Sequence, residues 1–316
     1  MNNTPLLKVT GLKKYFDTPR GKLHAVDGVN FSLNKGDTLG IVGESGCGKS
    51  TLGRTVLRLI EPTDGEILYN DKNILDYNKE KMKLLRQKMQ IIFQDPYSSL
   101  NPRLSVGQII AEPMIVNKLY SSKTEMNGRI RELMETVGLA PRLMNTYPHE
   151  LDGGRRQRIG TARALATNPE FIVCDEPVSA LDVSIQAQIL NLMMDLQEQQ
   201  ELSYMFITHD LSVVKHISNN IAVMYLGQCV EFAGTRELFE NPVHPYTRAL
   251  LSAIPVIDIT RKGIEPELLQ GEVTSPINPP AGCRFISRCK YAAPECKENI
   301  EFKKVGENHF AACVLA

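Results

Sequence analysis

Gly43-Glu44-Ser45-Gly46-Cys47-Gly48-Lys49-Ser50-Thr51 is the run whose reading decides the fold. It fits G-x-x-x-x-G-K-[ST], in which glycines let successive backbone N–H groups turn inward around a phosphate while the lysine reaches its outer oxygens. Residues 37–42, Asp-Thr-Leu-Gly-Ile-Val, read as a short buried strand before it, and Leu52, Val56, Leu59 and Ile60 recur at helical spacing after it. Strand, loop and helix put an anion at a helix N-terminus, where unpaired N–H groups and the dipole both favour negative charge. A glycine turn that merely joined strand to helix would have no use for Lys49 and Ser50 at this spacing.

A length of 316 residues allows one large domain with an appendage, or two domains. Lys+Arg and Asp+Glu balance at 36 each, which leaves no electrostatic footprint for wrapping nucleic acid. No apolar run approaches bilayer length and the N-terminus lacks the shape of a secretory signal, so a soluble intracellular chain is expected. In that setting seven cysteines point to thiols or metal ligands rather than disulfides.

Residues 5–33 read as short strands, at 6–9, 24–26 and 29–33, with breaks at Gly11, Gly28 and Gly36, in an antiparallel layer. From about Asn78 to Arg163 the pattern turns helical, most clearly at 125–137 with Ile130, Leu133, Met134 and Val137. Strands return at 171–174 and 204–207. Between them Ile185, Ile189, Leu192, Met193 and Leu196 mark one face of a helix capped by Asp182, and strand, helix, strand implies a parallel crossover. A hairpin is expected at 221–232 around Gly227. The prolines from Pro255 onward, with Pro266, Pro276, Pro279 and Pro280, mark a linker into a small tail.

The strand at 171–174 ends in Asp175-Glu176, two carboxylates at a strand exit of the kind that phosphate-transfer sites use for Mg²⁺ and for the attacking water. Leu151-Asp152-Gly153-Gly154-Arg155-Arg156-Gln157-Arg158 precedes them, and Ser179-Ala180-Leu181-Asp182 and Thr208-His209-Asp210 follow. With Gln94 in Ile91-Ile92-Phe93-Gln94-Asp95-Pro96, this ordered set resembles the ATP-binding subunits of ABC transporters over the whole chain. Asn-Pro-Val-His-Pro-Tyr-Thr-Arg-Ala-Leu-Leu at 241–251 and Ser99-Leu100-Asn101-Pro102-Arg103 further resemble the oligopeptide and dipeptide importer ATPases, of the second-subunit type.

The resemblance implies an α/β fold: a P-loop NTPase core of the ABC ATPase kind with an N-terminal antiparallel β layer, a helical subdomain inserted at about 95–165, and a small Cys-rich C-terminal extension. Residues 1–255 would form the ATP-binding domain and 256–316 the extension. Two such domains would face head to tail, with ATP between one phosphate loop and the other's signature. Carried onto this chain, Gly43, Ser45, Gly46, Cys47, Gly48, Lys49, Ser50 and Thr51 would surround the phosphates, and Ser50, Gln94 and Asp175 would approach Mg²⁺. Glu176 would be the general base, with His209 on the γ-phosphate and the water. Asp152, Gly153, Gly154 and Arg155 would complete the partner's site, and Asp182 would lie in the loop that crosses between subunits. Tyr15 matches the aromatic that stacks on adenine, and a half-buried strand aromatic is the competing reading. For His209 the alternative is a hydrogen-bonded core histidine; for Gln94 it is a surface amide. The position straight after a strand, and the flanking Phe93, Asp95 and Pro96, favour the functional readings.

The signature departs from the usual Leu-Ser-Gly-Gly-Gln, with Asp152 in place of serine and Arg155 in place of glutamine. Aspartate caps a helix as well as serine does. A carboxylate about 4 Å from a phosphate charge, however, is repelled by about 4 kcal/mol at an effective dielectric near 20. Arg155, three residues on, is placed to pair with Asp152 or to reach the phosphate. Two readings stand. In one, the site completed by this signature turns ATP over slowly while the opposite site works; in the other, Arg155 replaces the lost donor and both sites fire. The direct cost of the repulsion favours the first.

Cys283, Cys289, Cys296 and Cys313 fall within the last 34 residues, whereas the preceding 282 hold three cysteines. A tail with too thin a core can be tied together by a metal held on four thiolates. Zinc usually draws on close C-x₂₋₄-C pairs, which are absent here, and four cysteines alone can hold a [4Fe–4S] cluster. Spacing leaves both open; the resemblance to peptide importers, some of which carry a cluster in this tail, tilts toward iron–sulfur. Cys47, Cys174 and Cys229 read as packing residues.

The expected function is an energy-coupling ATPase that uses ATP and Mg²⁺. It would pair with a homologous ATPase subunit as a heterodimer and drive two membrane permease subunits, lying peripherally at the cytoplasmic face of the plasma membrane. The helical insertion, with 97–103, would carry the permease contact, and an extracellular substrate-binding protein would be served indirectly. Two alternatives are a nucleotide-sensing assembly subunit, which the presence of Glu176 argues against, and an importer of another small solute such as nickel complexes. An ABC ATPase acting on DNA or ribosomes fits poorly with the neutral charge, the lack of a long coiled-coil insertion and His244-Pro245-Tyr246.

Overall fold

Strand β1 (Leu7–Thr18) turns back as β2 (Gly21–Leu33), and β3 (Thr38–Val42), α1 (Lys49–Val56), β4 (Asp64–Tyr69) and β5 (Lys72–Asn73) follow in a computed structural model that describes residues 4–254, 271 and 274–316. Next come α2 (Lys79–Lys88), β6 (Met89–Ile92), α3 (Val106–Val116), α4 (Lys123–Thr136), α5 (Gly153–Leu165), β7 (Phe171–Asp175), α6 (Val183–Gln200) and β8 (Ser203–Ile207). The chain continues through α7 (Leu211–Ile217), β9 (Asn220–Tyr225), β10 (Gln228–Gly234), α8 (Thr235–Glu240), α9 (Pro245–Ser252), β11 (Lys303–Gly306) and β12 (His309–Ala311). Two compact units result: residues through 33, 38–75 and 208 onward in one, 34–37 and 76–207 in the other. The linker prolines Pro255 and Pro266 lie outside the described residues.

In the first unit β2, β1, β4 and β5 form the expected antiparallel layer, in that order. Gly11 and Gly28 were expected to break its strands, but both strands run through. Gly11 has φ +57 and Gly28 φ +71, and the β1–β2 register shifts between Val9 and Leu12 and again before Lys14. A glycine in the left-handed region absorbs an extra residue as a bulge, so pairing resumes beyond it. The strand before the phosphate loop is β3, buried at all five positions and parallel to β9. Helix α1 buries Leu52 and Val56 as expected, then stops, because Arg58 turns the chain at φ +51; Leu59 is left 48% exposed, so the longer apolar stripe does not hold. The hairpin β9–β10 turns on Leu226 and Gly227, both at positive φ, the backbone that a two-residue turn between twisted strands requires.

The tail belongs to this same unit. Strand β12 pairs antiparallel with β10, setting Glu231 against Ala311 and Ala233 against His309, and β11 lies outside β12. Glu231 is fully buried; its carboxylate accepts the N–H groups of Val243 (2.7 Å) and His244 (2.9 Å), and His309 Nε2 lies 2.7 Å away. Further up, the carbonyl of Pro276 accepts from His24 N–H and Asn278 Oδ1 accepts from Lys22 N–H, so this segment is laced to β2.

In the second unit β6, β7 and β8 are parallel and in register. The β7–α6–β8 crossover is as expected: α6 buries Ile189, Met193 and Leu196, and Asp182 caps it by accepting Ile185 N–H at 3.0 Å. Strand β6 is a correction, since the helical reading of 78–163 ran over it. Four residues directly after a helix carry no alternation of their own, and pairing with β7 decides their conformation. The helical part is built from α3, α4 and α5, which bury Ile109, Ile110, Met114, Ile130, Leu133, Met134, Ile159 and Leu165. No helix among the described residues is long and apolar enough to cross a membrane.

The buried Glu231 carboxylate sets a test of tail docking. His309→Ala removes one of its partners, and losing one hydrogen-bond partner of a buried polar group costs about 1–3 kcal/mol. Urea unfolding should show a loss of that order, with His309→Gln recovering part of it; a loss within the error of the wild-type midpoint would show that the contact does not hold the tail.

Candidate functional site

In the first unit the loop at 43–48 leaves β3 through glycines that no other residue could replace. A Cβ on Gly43 (φ +151) would lie 2.2 Å from the Met224 carbonyl oxygen, and one on Gly48 (φ +103) would lie 2.0 Å from that of Ala25. Gly48 is also the N-cap of α1 and brings no side chain to cap the helix, so the positive end of the helix dipole faces the loop. Lys49 is 4% exposed, and its Nζ donates to the carbonyl oxygens of Gly43 (2.8 Å) and Glu44 (2.9 Å). Carbonyl partners hold the ammonium without cancelling its charge. Ser50 is half-buried in the first turn of α1, with Thr51 beside it. The Cys47 thiol is buried, and burial pushes its pKa up, which fits packing rather than reactivity; the same holds for Cys174 and for Cys229, whose thiol burial pushes up to about 12.

Tyr15, also in this unit, is half-buried with its ring stacked on His24, centroids 4.0 Å apart at 22°. Its hydroxyl donates to Asp27, and burial together with this bond raises the phenol well above its usual range. Burial alone would raise the Asp27 carboxyl, but hydrogen bonds from Tyr15 and His24 and the charge of Arg284 outweigh it and hold the carboxyl low. His209 follows β8 and is exposed, so it is not the buried core histidine of the alternative reading. Its neighbour Thr208 is fixed through an N–H bond to Ile41 O (3.1 Å) and by accepting Asp210 N–H at Oγ1.

The second unit holds the carboxylates. Asp175 ends β7 at 1% exposure, and Glu176 follows with φ +48. A non-glycine residue in that region is strained by about 1–3 kcal/mol unless its surroundings fix it. Here Glu176 N–H donates to Ile207 O (2.9 Å), Ser179 Oγ donates to Glu176 O (3.1 Å), and Gln94 Nε2 donates to Glu176 Oε2 (2.9 Å). Two of the expected site residues, Gln94 and Glu176, are thus brought together.

The signature opens α5. Asp152 is its N-cap, accepting Arg155 N–H at 2.8 Å, with the Arg155 guanidinium 3.5 Å from the carboxylate and both side chains more than half exposed. The sequence reading missed how closely other side chains approach both glycines. A Cβ on Gly153 would sit 3.2 Å from Leu181 Cδ2, and one on Gly154 would sit 2.7 Å from Ile185 Cγ2. It also missed that Arg156 stacks over Tyr97 (4.6 Å to the ring centroid) and that Arg163 donates to Ser99 O (2.6 Å), which ties 97–103 to α5.

All seven cysteines are free thiols. Cys283 N–H donates to Cys296 O at 2.8 Å, and the Cys283 thiol is pushed up to about 11 by burial, with the charges of Cys296, Cys289 and Cys313 adding to the effect. The four therefore share one neighbourhood. Among the described residues, however, no group of three or more His, Cys, Asp or Glu side chains is placed to hold a metal ion, so the expected four-thiolate shell is not met by this arrangement.

Comparison with known proteins puts relatives beside this geometry. The family model described as "ABC transporter" matches residues 26–179, and that described as "Oligopeptide/dipeptide transporter, C-terminal region" matches 230–296. The chain is similar to the oligopeptide transport ATP-binding protein AppF of Bacillus subtilis, with 53% identity over 99% of this chain and 98% of the relative. It is 52% identical to the dipeptide transport ATP-binding protein DppF of Haemophilus influenzae, over 94% of this chain and 92% of that one. Among solved structures it is similar to a dimeric post-hydrolysis state of the ATP-binding cassette MJ0796 bound to ADP and Pi, with a TM-score of 0.67 and 29% identity over 73% of this chain and 99% of that one.

The close approach of α5 to α6 gives a second test. Gly154→Ala should cost about 1–3 kcal/mol through overpacking, and Ile185→Val in the same chain should return part of it by withdrawing the obstructing atoms. Thermal unfolding checks both, and an unaffected midpoint in Gly154→Ala would remove the packing role assigned to this glycine.

Proposed function

The chain belongs to the ABC transporter family, among its oligopeptide and dipeptide transport ATP-binding proteins, and we propose that it is the ATP-binding and ATP-hydrolysing subunit that powers a peptide importer. The observation that carries the chemistry is the 2.9 Å bond from Gln94 Nε2 to Glu176 Oε2, which orients the carboxylate that would take a proton from water. That water adds to the γ-phosphorus and the bond to the leaving ADP oxygen breaks. Lys49 and the N–H groups of the loop hold the phosphates, and His209 steadies the γ-phosphate. Ser50, Gln94 and Asp175 offer hydroxyl, amide and carboxylate oxygens, a donor set suited to Mg²⁺, and they would hold it. When bound, Mg²⁺ neutralises charge on the phosphate oxygens. Tyr15 would stack on adenine, and Asp182 would lie in the loop crossing to the partner.

The assembly would comprise a homologous ATPase subunit, two membrane permeases contacted through the helical part at about 95–165, and an extracellular binding protein served indirectly. The chain would lie peripherally at the cytoplasmic face of the membrane. Cargo is chosen by those other subunits, and import of another small solute, such as a nickel complex, is the competing reading. The chain would divide into an ATP-binding domain through 255 and an extension from 256.

The slow-site reading of the signature is retained. Arg155 offsets part of the Asp152 charge, but the pair is more than half exposed and screened by water, so the carboxylate keeps much of its repulsion toward a phosphate. A [4Fe–4S] cluster in the tail, with zinc as the alternative, is likewise retained as a proposal. Its support is the four cysteines and their shared neighbourhood, and it would require the thiols to reorganise from the described arrangement.

Steady-state ATP hydrolysis by the assembled complex separates the two sites. Glu176→Gln should lower turnover by about 100-fold or more, and Asp152→Ser should raise it. Turnover that survives Glu176→Gln would assign hydrolysis to the partner's carboxylate across this chain's signature, and no rise with Asp152→Ser would mean that Arg155 already compensates. For the tail, anaerobic purification of the full chain should yield about four iron and four sulfide per protein, with visible absorbance lost in Cys289→Ser; stoichiometric zinc, or neither metal, would overturn the cluster.

A further inference from the structure

We propose that the tail is a working part of the nucleotide site, with Arg288 as a positioning residue that holds the phosphate loop through Glu44. This rests on the reading of 43–51 as the ATP phosphate loop. Arg288 is 6% exposed, and its guanidinium grips the Glu44 carboxylate with both ends, Nη1 to Oε2 at 2.8 Å and Nη2 to Oε1 at 3.1 Å. The rest of Glu44 is engaged as well: its N–H donates to the Tyr246 hydroxyl (2.9 Å) and its carbonyl accepts from Lys49 Nζ (2.9 Å). One loop residue is therefore tied to the phosphate-binding lysine, to α9 and to the tail. Phe285, three residues before Arg288, seats the segment against Tyr225 and Tyr246, with ring centroids 5.3 and 5.4 Å away.

An acidic side chain in a phosphate-binding loop is an electrostatic liability. Gripped by a planar, permanently charged guanidinium, the carboxylate is neutralised and turned toward the tail. Released, it would repel the same anion that Lys49 attracts. Arg284 extends the hold to the other end of the site, bonding Asp27 and the Leu226 carbonyl, and Asp27 in turn receives the Tyr15 hydroxyl. The two arginines sit directly beside Cys283 and Cys289, so whatever orders those cysteines orders the arginines too. By linkage, nucleotide binding and tail docking strengthen each other by the same factor.

Calorimetric titration of the full chain with Mg-ATP tests this. Arg288→Met should raise the Kd about tenfold, the effect of one unscreened carboxylate near the phosphates. Adding Glu44→Gln should bring the Kd back to within about threefold of wild type, because the repelling charge is gone. A mere staple for the tail would show no such recovery, since glutamine cannot rejoin a methionine. Arg288→Lys, which keeps the charge but loses the two-pronged grip, should fall between, and it serves in the same comparison if Arg288→Met does not fold. A wild-type chain that binds no ATP would sink the loop reading itself. Unchanged affinity in the Arg288 variants, or no recovery with Glu44→Gln, would overturn this inference alone.

Discussion

A buried ammonium sets the terms for the first unit. Lys49 must be withdrawn from water to act strongly on a phosphate, and it must keep its charge while withdrawn, so its partners are main-chain carbonyls. That requires a loop whose carbonyls point inward, which in turn requires glycines where neighbouring backbones come within bonding reach. The carbonyls of Met224 and Ala25 occupy the space that side chains on Gly43 and Gly48 would need. Gly227 N–H bonds Cys47 O and Asp27 N–H bonds Gly227 O, so the β9–β10 turn and β2 are locked to the loop through the backbone. The strands of this unit can be read as the frame that these contacts demand.

The second unit solves a different problem, that of holding a carboxylate still. Backbone strain at Glu176 fixes the direction of its side chain, and bonds from Ser179, Gln94 and to Ile207 keep the strain from relaxing. The signature glycines belong to the same economy of space, since they let the start of α5 lie against Leu181 and Ile185.

Much of this was legible in the sequence because it is local. The phosphate loop, the two carboxylates, the Asp152 and Asp182 caps, the β7–α6–β8 crossover and the Gly227 hairpin are each written within a few residues. What was missed depends on partners far apart in the chain. Gly11 and Gly28 looked like breaks because a bulge and a turn use the same left-handed backbone, and only the partner strand tells them apart. Strand β6 took its conformation from β7. Arg284 and Arg288 lie more than 240 positions from Asp27 and Glu44, and no pattern in the sequence joins them.

The docked tail also changes what the first unit presents to other molecules. Without β12, the strand β10 would offer unpaired main-chain groups between apolar residues such as Val230 and Phe232, a template onto which any extended chain could add. With β12 and β11 in place the row ends instead on Lys303 and Lys304, both exposed, and a second strand approaching that margin meets two like-charged, strongly hydrated side chains. The tail thus covers a strand edge that would otherwise be open to pairing, and closes the sheet on a charged margin instead.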